Sequence, residues 1–287
     1  MKPELQHLIE EILSSRKYRG LDIPAETVGD ILEKELARHR GHKDAVKEAR
    51  KKLHNIVASY LGDPDFQSAG LALESAFKSG DGEQVRTVCT KIMASHASTR
   101  ERIPILESFY QKLFALTGKP DAILDLACGL NPFSFPWMGL PTSVKYYAYD
   151  LNRPRLEFIH QYFKLQGLTP LGSSADILIH PPDVEAPVAF FFKEAHRFEQ
   201  RQRGCNLSFW QALRVRYLLV SLPTKSLSGK HNLVERQRKL VYSTVHDQPW
   251  TVTEIMFENE IVFCIEKVPP PFPLPLGEGK IDINEPA

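Results

Sequence analysis

Apolar residues recur at helix spacing through the first hundred positions, then gather into short continuous runs. Segments 3–15, 25–39, 43–61, 67–79 and 82–95 carry apolar residues three and four apart, with Gly, Pro and Asp between them. Helices are predicted over each. The 43–61 segment is the clearest. Val46, Ala49, Leu53, Ile56, Val57 and Tyr60 share one stripe, while Lys43, Lys47, Lys51 and His54 share a flank of the opposite side. From residue 121 the pattern predicts strands at 122–127, 145–149, 169–172, 187–192 and 216–222, the third of them weakly marked. Helices are predicted at 104–117, 153–166, 194–200 and 205–213. Such alternation builds a parallel sheet with helices on both faces. Segments 251–257 and 260–267 flank Glu258-Asn259 as a hairpin, a common antiparallel edge on an otherwise parallel sheet.

The fold class is therefore α/β, a Rossmann-like and mostly parallel sheet with an antiparallel edge hairpin, preceded by an all-helical N-terminal domain. The divisions expected are 1–103, 104–268 and a Pro-rich tail, 269–287. Prolines at 269, 270, 271, 273 and 275 leave the tail without a packing pattern, so it is expected to stay extended or disordered.

Composition adds little. Charged residues are 25% of the chain and the net charge is +1, so global charge names no partner. No apolar run is long enough to span a membrane, and the first residues lack a signal-peptide core. A cytoplasmic protein with no membrane partner is expected. Cysteines 89, 128, 205 and 264 form no CxxC pair, which reads as reduced thiols and no metal site.

The chemistry concentrates in residues 123–132, Ile-Leu-Asp-Leu-Ala-Cys-Gly-Leu-Asn-Pro, and in Asp150, which closes the next apolar run. A strand running into small residues makes a turn whose backbone can approach a ligand. A neighbouring strand ending in Asp offers a carboxylate to ribose hydroxyls. Only Gly129 of the usual three dinucleotide glycines is present. A nucleoside without phosphate, such as S-adenosylmethionine, fits such a turn better than a pyrophosphate does. Asp176, or the backbone beside it, is placed to meet an adenine amino group after the third strand. Arg102, just before the sheet domain, carries a guanidinium fork suited to a methionine carboxylate. The candidate cofactor residues are Arg102, Ala127, Cys128, Gly129, Asp150, Leu151, Asp176 and Ile177. Plainer roles stay open for each acid as a helix cap or turn former, and for Arg102 as an ion-paired arginine.

At this point the chain resembles the aminoglycoside-resistance 16S ribosomal RNA (guanine-N7) methyltransferases. The likeness rests on residues 96–102, His-Ala-Ser-Thr-Arg-Glu-Arg, on 123–132, and on 221–230, Ser-Leu-Pro-Thr-Lys-Ser-Leu-Ser-Gly-Lys. Weaker matches lie at 15–19, 52–56 and 191–193, so the likeness spans roughly residues 5–268. It implies a helical RNA-docking domain, a class I methyltransferase domain, and methyl transfer from S-adenosylmethionine to a decoding-site guanine of the 30S subunit. It also implies cofactor roles for Arg102, Gly129, Asp150 and Asp176. A monomer acting on ribosomal RNA, and not on DNA, is expected.

Guanine N7 carries a free lone pair and no proton, so no general base and no catalytic dyad are expected; alignment of the reactants suffices. Other acceptors leave different marks. After the fourth strand the chain reads Phe192-Lys193-Glu194-Ala195-His196, where amino-group methylases carry Asp/Asn-Pro-Pro-Tyr/Phe. His180-Pro-Pro-Asp183 precedes that strand and reads as a loop. Cys128, in the cofactor turn, is a small packing residue rather than a nucleophile.

Between Lys34 and His54 eight Lys/Arg face three Asp/Glu, a local excess able to grip phosphates. The candidate RNA contacts are Lys17, Arg19, Lys43, Lys47 and Lys51, with a second set at Lys225, Lys230 and Arg236, joined by Arg238 and Lys239. A solvated helix face is the plainer reading of the first set. Two rival functions stay open: a class I methyltransferase acting on another RNA base or a small molecule, and a non-enzymatic RNA-binding protein on a vestigial cofactor fold.

Overall fold

The computed structural model describes residues 3–19, 22–57, 62–226 and 231–267. Tyr60, Lys230 and the 269–287 tail lie outside them, as does the side chain of Val57. Three helices open the chain: α1 (Pro3–Ser14), α2 (Ala25–Arg38) and α3 (His42–Val57). Proline starts α1, where its missing N–H costs nothing. Leu5, Ile9, Ile12, Val28, Ile31, Leu32, Ala49 and Leu53 close a separate core, which Leu151 joins from the sheet side. The predicted stripe of α3 thus faces inward, and Lys43, Lys47 and Lys51 face solvent.

The next helices belong elsewhere. α4 (Phe66–Lys78) and α5 (Gly82–Met93) are capped by Asp65 and Asp81, whose carboxylates accept from Ser68 N and Glu83 N. Their buried Leu73, Val85, Cys89 and Ile92 join the core on one face of the sheet. The hydrophobic packing therefore divides between α3 and α4. The helical region drawn over 1–103 is two packing units, because α4 and α5 point their stripes at the sheet.

After the short α6 (Ala97–Arg100) and α7 (Leu106–Thr117), six strands form one sheet. They are β1 (Ala122–Leu126), β2 (Lys145–Tyr149), β3 (Ala186–Phe192), β4 (Val215–Pro223), β5 (Thr251–Met256) and β6 (Glu260–Glu266). The order is β2-β1-β3-β4-β6-β5, parallel except for the β5–β6 hairpin, which pairs antiparallel with β4 through β6. α7 and α8 (Arg153–Gln166) cover one face. α9 (Ala195–Arg201), α10 (Cys205–Ala212) and α11 (Val234–Val245) cover the other.

The strand predicted at 169–172 is not formed. That segment runs beside β2 through two isolated parallel bridges, Tyr147 with Leu171 and Asp150 with Ser174. Pro170 has no N–H to give a ladder. Gly172, at φ +95°, lies so close to β2 that a Cβ there would sit 2.0 Å from the Ala148 oxygen. Glycine is required, and a regular strand is lost. Helix α11 was not predicted. It buries only Gln237, Val241 and Val245, one polar residue and two valines, too narrow a stripe to read from periodicity.

Candidate active site

The carboxyl ends of β1, β2 and β3 open into one cleft. All eight candidate cofactor residues line it, together with His96, Asn131, Arg155, Glu194, Arg197 and Arg201. Ile56 of α3 also reaches it, so the N-terminal helices form part of the wall.

The turn after β1 is shaped by backbone. Ala127 and Gly129 both have φ +53°, and for the alanine this left-handed conformation is a cost that surrounding bonds offset. Cys128 N donates to Tyr149 O at 2.8 Å, and Gly129 N donates to Asp150 Oδ2 at 2.9 Å. Below the turn, Asp125 is buried, accepting from Tyr146 Oη at 2.6 Å and Asn131 Nδ2 at 2.9 Å. Burial raises the Asp125 carboxyl to about 7 despite those bonds. Burial, reinforced by Asp150 and Asp125, holds the Cys128 thiol well above its usual value. It stays protonated and is no nucleophile.

Each charged residue expected from the sequence is bound to a buried opposite charge that the sequence did not reveal. Asp150 is gripped by Arg155 Nη1, 3.0 Å from Oδ1 and 3.1 Å from Oδ2. Asp176 accepts from Arg201 Nη1 at 2.8 Å, from Leu178 N at 3.2 Å, and from Thr27 Oγ1 of α2 at 2.8 Å. Arg201 also reaches Asp30 of α2 at 2.9 Å. Arg102 spends Nε and Nη2 on Glu260, at 3.2 and 2.5 Å, and donates Nη1 to Asn131 at 2.7 Å. Its guanidinium lies 4.4 Å from the Phe109 ring centre and 4.5 Å from that of Phe192. Burial works against the charged form of Arg102, but Glu260, Tyr110 and Asp125 together outweigh it and raise the pKa. Burial likewise works against ionised Glu260, yet Arg102 and Lys193 lower its pKa.

Two of these partners limit what the expected cofactor residues have left to offer. The Arg102 fork is occupied by Glu260, leaving two of its five N–H donors for a ligand. The Asp176 carboxylate is committed to protein partners, so of the two contacts the sequence allowed there, the neighbouring backbone is the one left open. Arg155 could have been found: the first turn of a helix starting right after Asp150 returns a side chain to that strand end. Nothing in the sequence pointed to Glu260 or Arg201.

The residues around the cleft mouth differ. Lys193, at φ +61°, ties β3 to the 96–102 segment through Ser98 O at 3.2 Å and Glu101 at 2.7 Å. Burial raises the Glu194 carboxyl to about 7 and lowers the His196 imidazole to about 4, so His196 stays neutral. Lys17, Arg19, Lys43, Lys47, Lys51, Lys225, Arg236 and Lys239 are exposed. Arg238 is clamped by Glu254 at 2.8 Å and Glu235 at 2.7 Å, so its guanidinium is already committed within the protein. Among the described residues no group could hold a metal ion, and no helix is long and apolar enough to cross a membrane.

Residues 14–264 match the model of the ribosomal RNA methyltransferase (FmrO) family. The chain belongs to that family. It is 30% identical over 262 residues to a 16S rRNA (guanine(1405)-N(7))-methyltransferase of Micromonospora echinospora, covering 90% of this chain and 95% of the relative. It is 31% identical over 222 residues to the enzyme of the same name from Serratia marcescens, covering 77% and 82%. The crystal structure of 16S rRNA methyltransferase RmtF in complex with S-adenosyl-L-homocysteine superposes with a TM-score of 0.75 at 26% identity, covering 93% of this chain and 100% of that one. The family assignment makes this rRNA methyltransferase an enzyme of the class I methyltransferase fold, as the resemblance implied.

Proposed function

We propose that this methyltransferase transfers a methyl group from S-adenosylmethionine to N7 of a decoding-site guanine of 16S rRNA in the assembled 30S subunit, which implies aminoglycoside resistance. One observation carries the choice of substrate. Helix α3 bears the exposed lysines on one side and lines the cofactor cleft with Ile56 on another. A small-molecule enzyme has no use for a positive flank on the helix that walls its active site. A monomer working in the cytoplasm is the simplest form, since a single chain supplies every wall of the cleft.

The cleft fits the cofactor. Its lining mixes apolar walls with a few convergent polar groups, as a nucleoside with an amino-acid tail needs, and Arg201 Nε is a buried donor with no protein partner. Asp150 would take the ribose hydroxyls, the turn 127–129 would pass close to the ribose, and Ile177 would flank the adenine. The outer donors of Arg102 would take the tail carboxylate. When bound, S-adenosylmethionine supplies an electrophilic methyl group. The chain's own part is alignment: it orients both ligands and removes no proton, because N7 has none to lose. The lysines of α3 and the set at Lys225, Lys230 and Arg236 would grip phosphates and set register on the subunit.

The test is methyl transfer from labelled S-adenosylmethionine to purified 30S subunits, with free 16S rRNA in parallel, mapped by strand scission at N7-methylguanine. Label at one decoding-site guanine of intact subunits is expected. No label in either substrate, from protein that binds S-adenosylhomocysteine, would overturn the target.

A further inference from the structure

Asp150 is held by more than its strand. Its two oxygens each accept one backbone N–H, from Asn152 at 2.8 Å and Gly129 at 2.9 Å. Arg155 Nη1 sits almost equally far from both oxygens, at 3.0 and 3.1 Å. The other edge of the same guanidinium is gripped by Asp63, with Nε 3.0 Å from Oδ1 and Nη2 3.0 Å from Oδ2. His96 Nε2 lies 2.9 Å from Asp63 Oδ1. Arg155 is fully buried and Asp63 partly so.

A carboxylate turns about its last bond in a broad, shallow potential. Two backbone donors, one per oxygen, set its mean orientation, but each bond still tolerates rocking about that torsion. A planar guanidinium clamped on its far edge removes that freedom. The clamp comes from outside the sheet, from Asp63 between α3 and α4 and from His96 at the start of α6. Arg155 itself is placed by Asn152, which caps α8 by accepting from Arg155 N at 2.9 Å.

We infer that Arg155, anchored by Asp63, is the positioning residue that sets the plane of Asp150 for the cofactor ribose. The inference rests on assigning the cleft to S-adenosylmethionine. It places the ribose contact under control of two segments that lie outside the strands.

Calorimetric binding of S-adenosylhomocysteine, and of its analogue lacking the 2′ and 3′ ribose hydroxyls, tests it on the full chain. Arg155→Gln should weaken S-adenosylhomocysteine about tenfold and the dideoxy analogue less than about twofold. Asp63→Asn, which keeps the guanidinium, should show the same selectivity with about a threefold loss. Should Arg155→Gln fail to give a cooperative thermal transition, Asp63→Asn decides alone. Equal losses for both probes mean a merely structural role and overturn the inference, as does unchanged or tighter S-adenosylhomocysteine binding. Wild-type protein that binds neither probe overturns the cofactor assignment and this inference with it.

Discussion

The cofactor cleft and the lysine flank of α3 both present charge, in opposite ways. In the cleft Arg102, Asp150 and Asp176 are buried and each is paired with a buried partner. On α3, Lys43 and Lys47 stand in solvent, and Lys51 meets only Glu48 at 3.3 Å on the surface. Buried pairs hold atoms at fixed positions, and removing one partner strands the other. Exposed lysines are individually weak, screened by salt and interchangeable in register. The difference suits the two tasks proposed for them. Methyl transfer needs reactants aligned to fractions of an ångström, whereas docking on a large RNA needs attraction over a wide area.

The largest effect should follow from Glu260→Gln. It leaves the Arg102 guanidinium buried between two aromatic rings without its countercharge, and stability should fall by about 3–5 kcal/mol, read by denaturant unfolding. A change under 1 kcal/mol would mean that the cleft charges are no more coupled than those of the flank. Asp150→Ala should come next, weakening S-adenosylhomocysteine binding by about 2–3 kcal/mol, measured by calorimetry.

The cleft should also respond to pH. Asp125 has its pKa raised to about 7 in the folded chain, above the ordinary carboxylate value. The stability it contributes is complete below the unfolded value and is lost as pH rises through about 7. Between pH 5 and 8 this amounts to about 2 kcal/mol. Asp125→Asn should flatten that part of the pH profile of thermal unfolding, whereas Lys43→Ala should leave it unchanged. The smallest effect belongs to the flank: Lys43→Ala should slow methylation of 30S subunits only about threefold and lower the salt-dependence slope by about one. It should leave S-adenosylhomocysteine affinity intact. Loss of cofactor binding there would erase the contrast.

The sequence displayed the two regions unequally. The α3 flank was plain because a helix repeats, so Lys43, Lys47 and Lys51 declare their common side without any knowledge of neighbours. The turn at 127–129 and Asp150 were plain because strand ends are local. The partners Arg201 and Glu260 were hidden because each meets its acid or base from a distant element. Their chemistry is ordinary, and only the fold brings them within reach. Residues 169–172 failed for a local reason: one glycine pressed against Ala148 outweighed the apolar residues around it. Helix α11 failed because Gln237 occupies an inward position.

The bonds from Thr27 to Asp176 and from Asp30 to Arg201 bear on how such proteins can be recombined. The first three helices look like a detachable cassette that could be exchanged to send the enzyme to a new RNA. Two of the polar groups that hold Asp176 and Arg201 in the cleft wall, however, are carried on α2. A graft that replaced the cassette without preserving a hydroxyl at 27 and an acid at 30 would alter the cofactor chamber along with the address. In this architecture retargeting and catalysis have to be redesigned together.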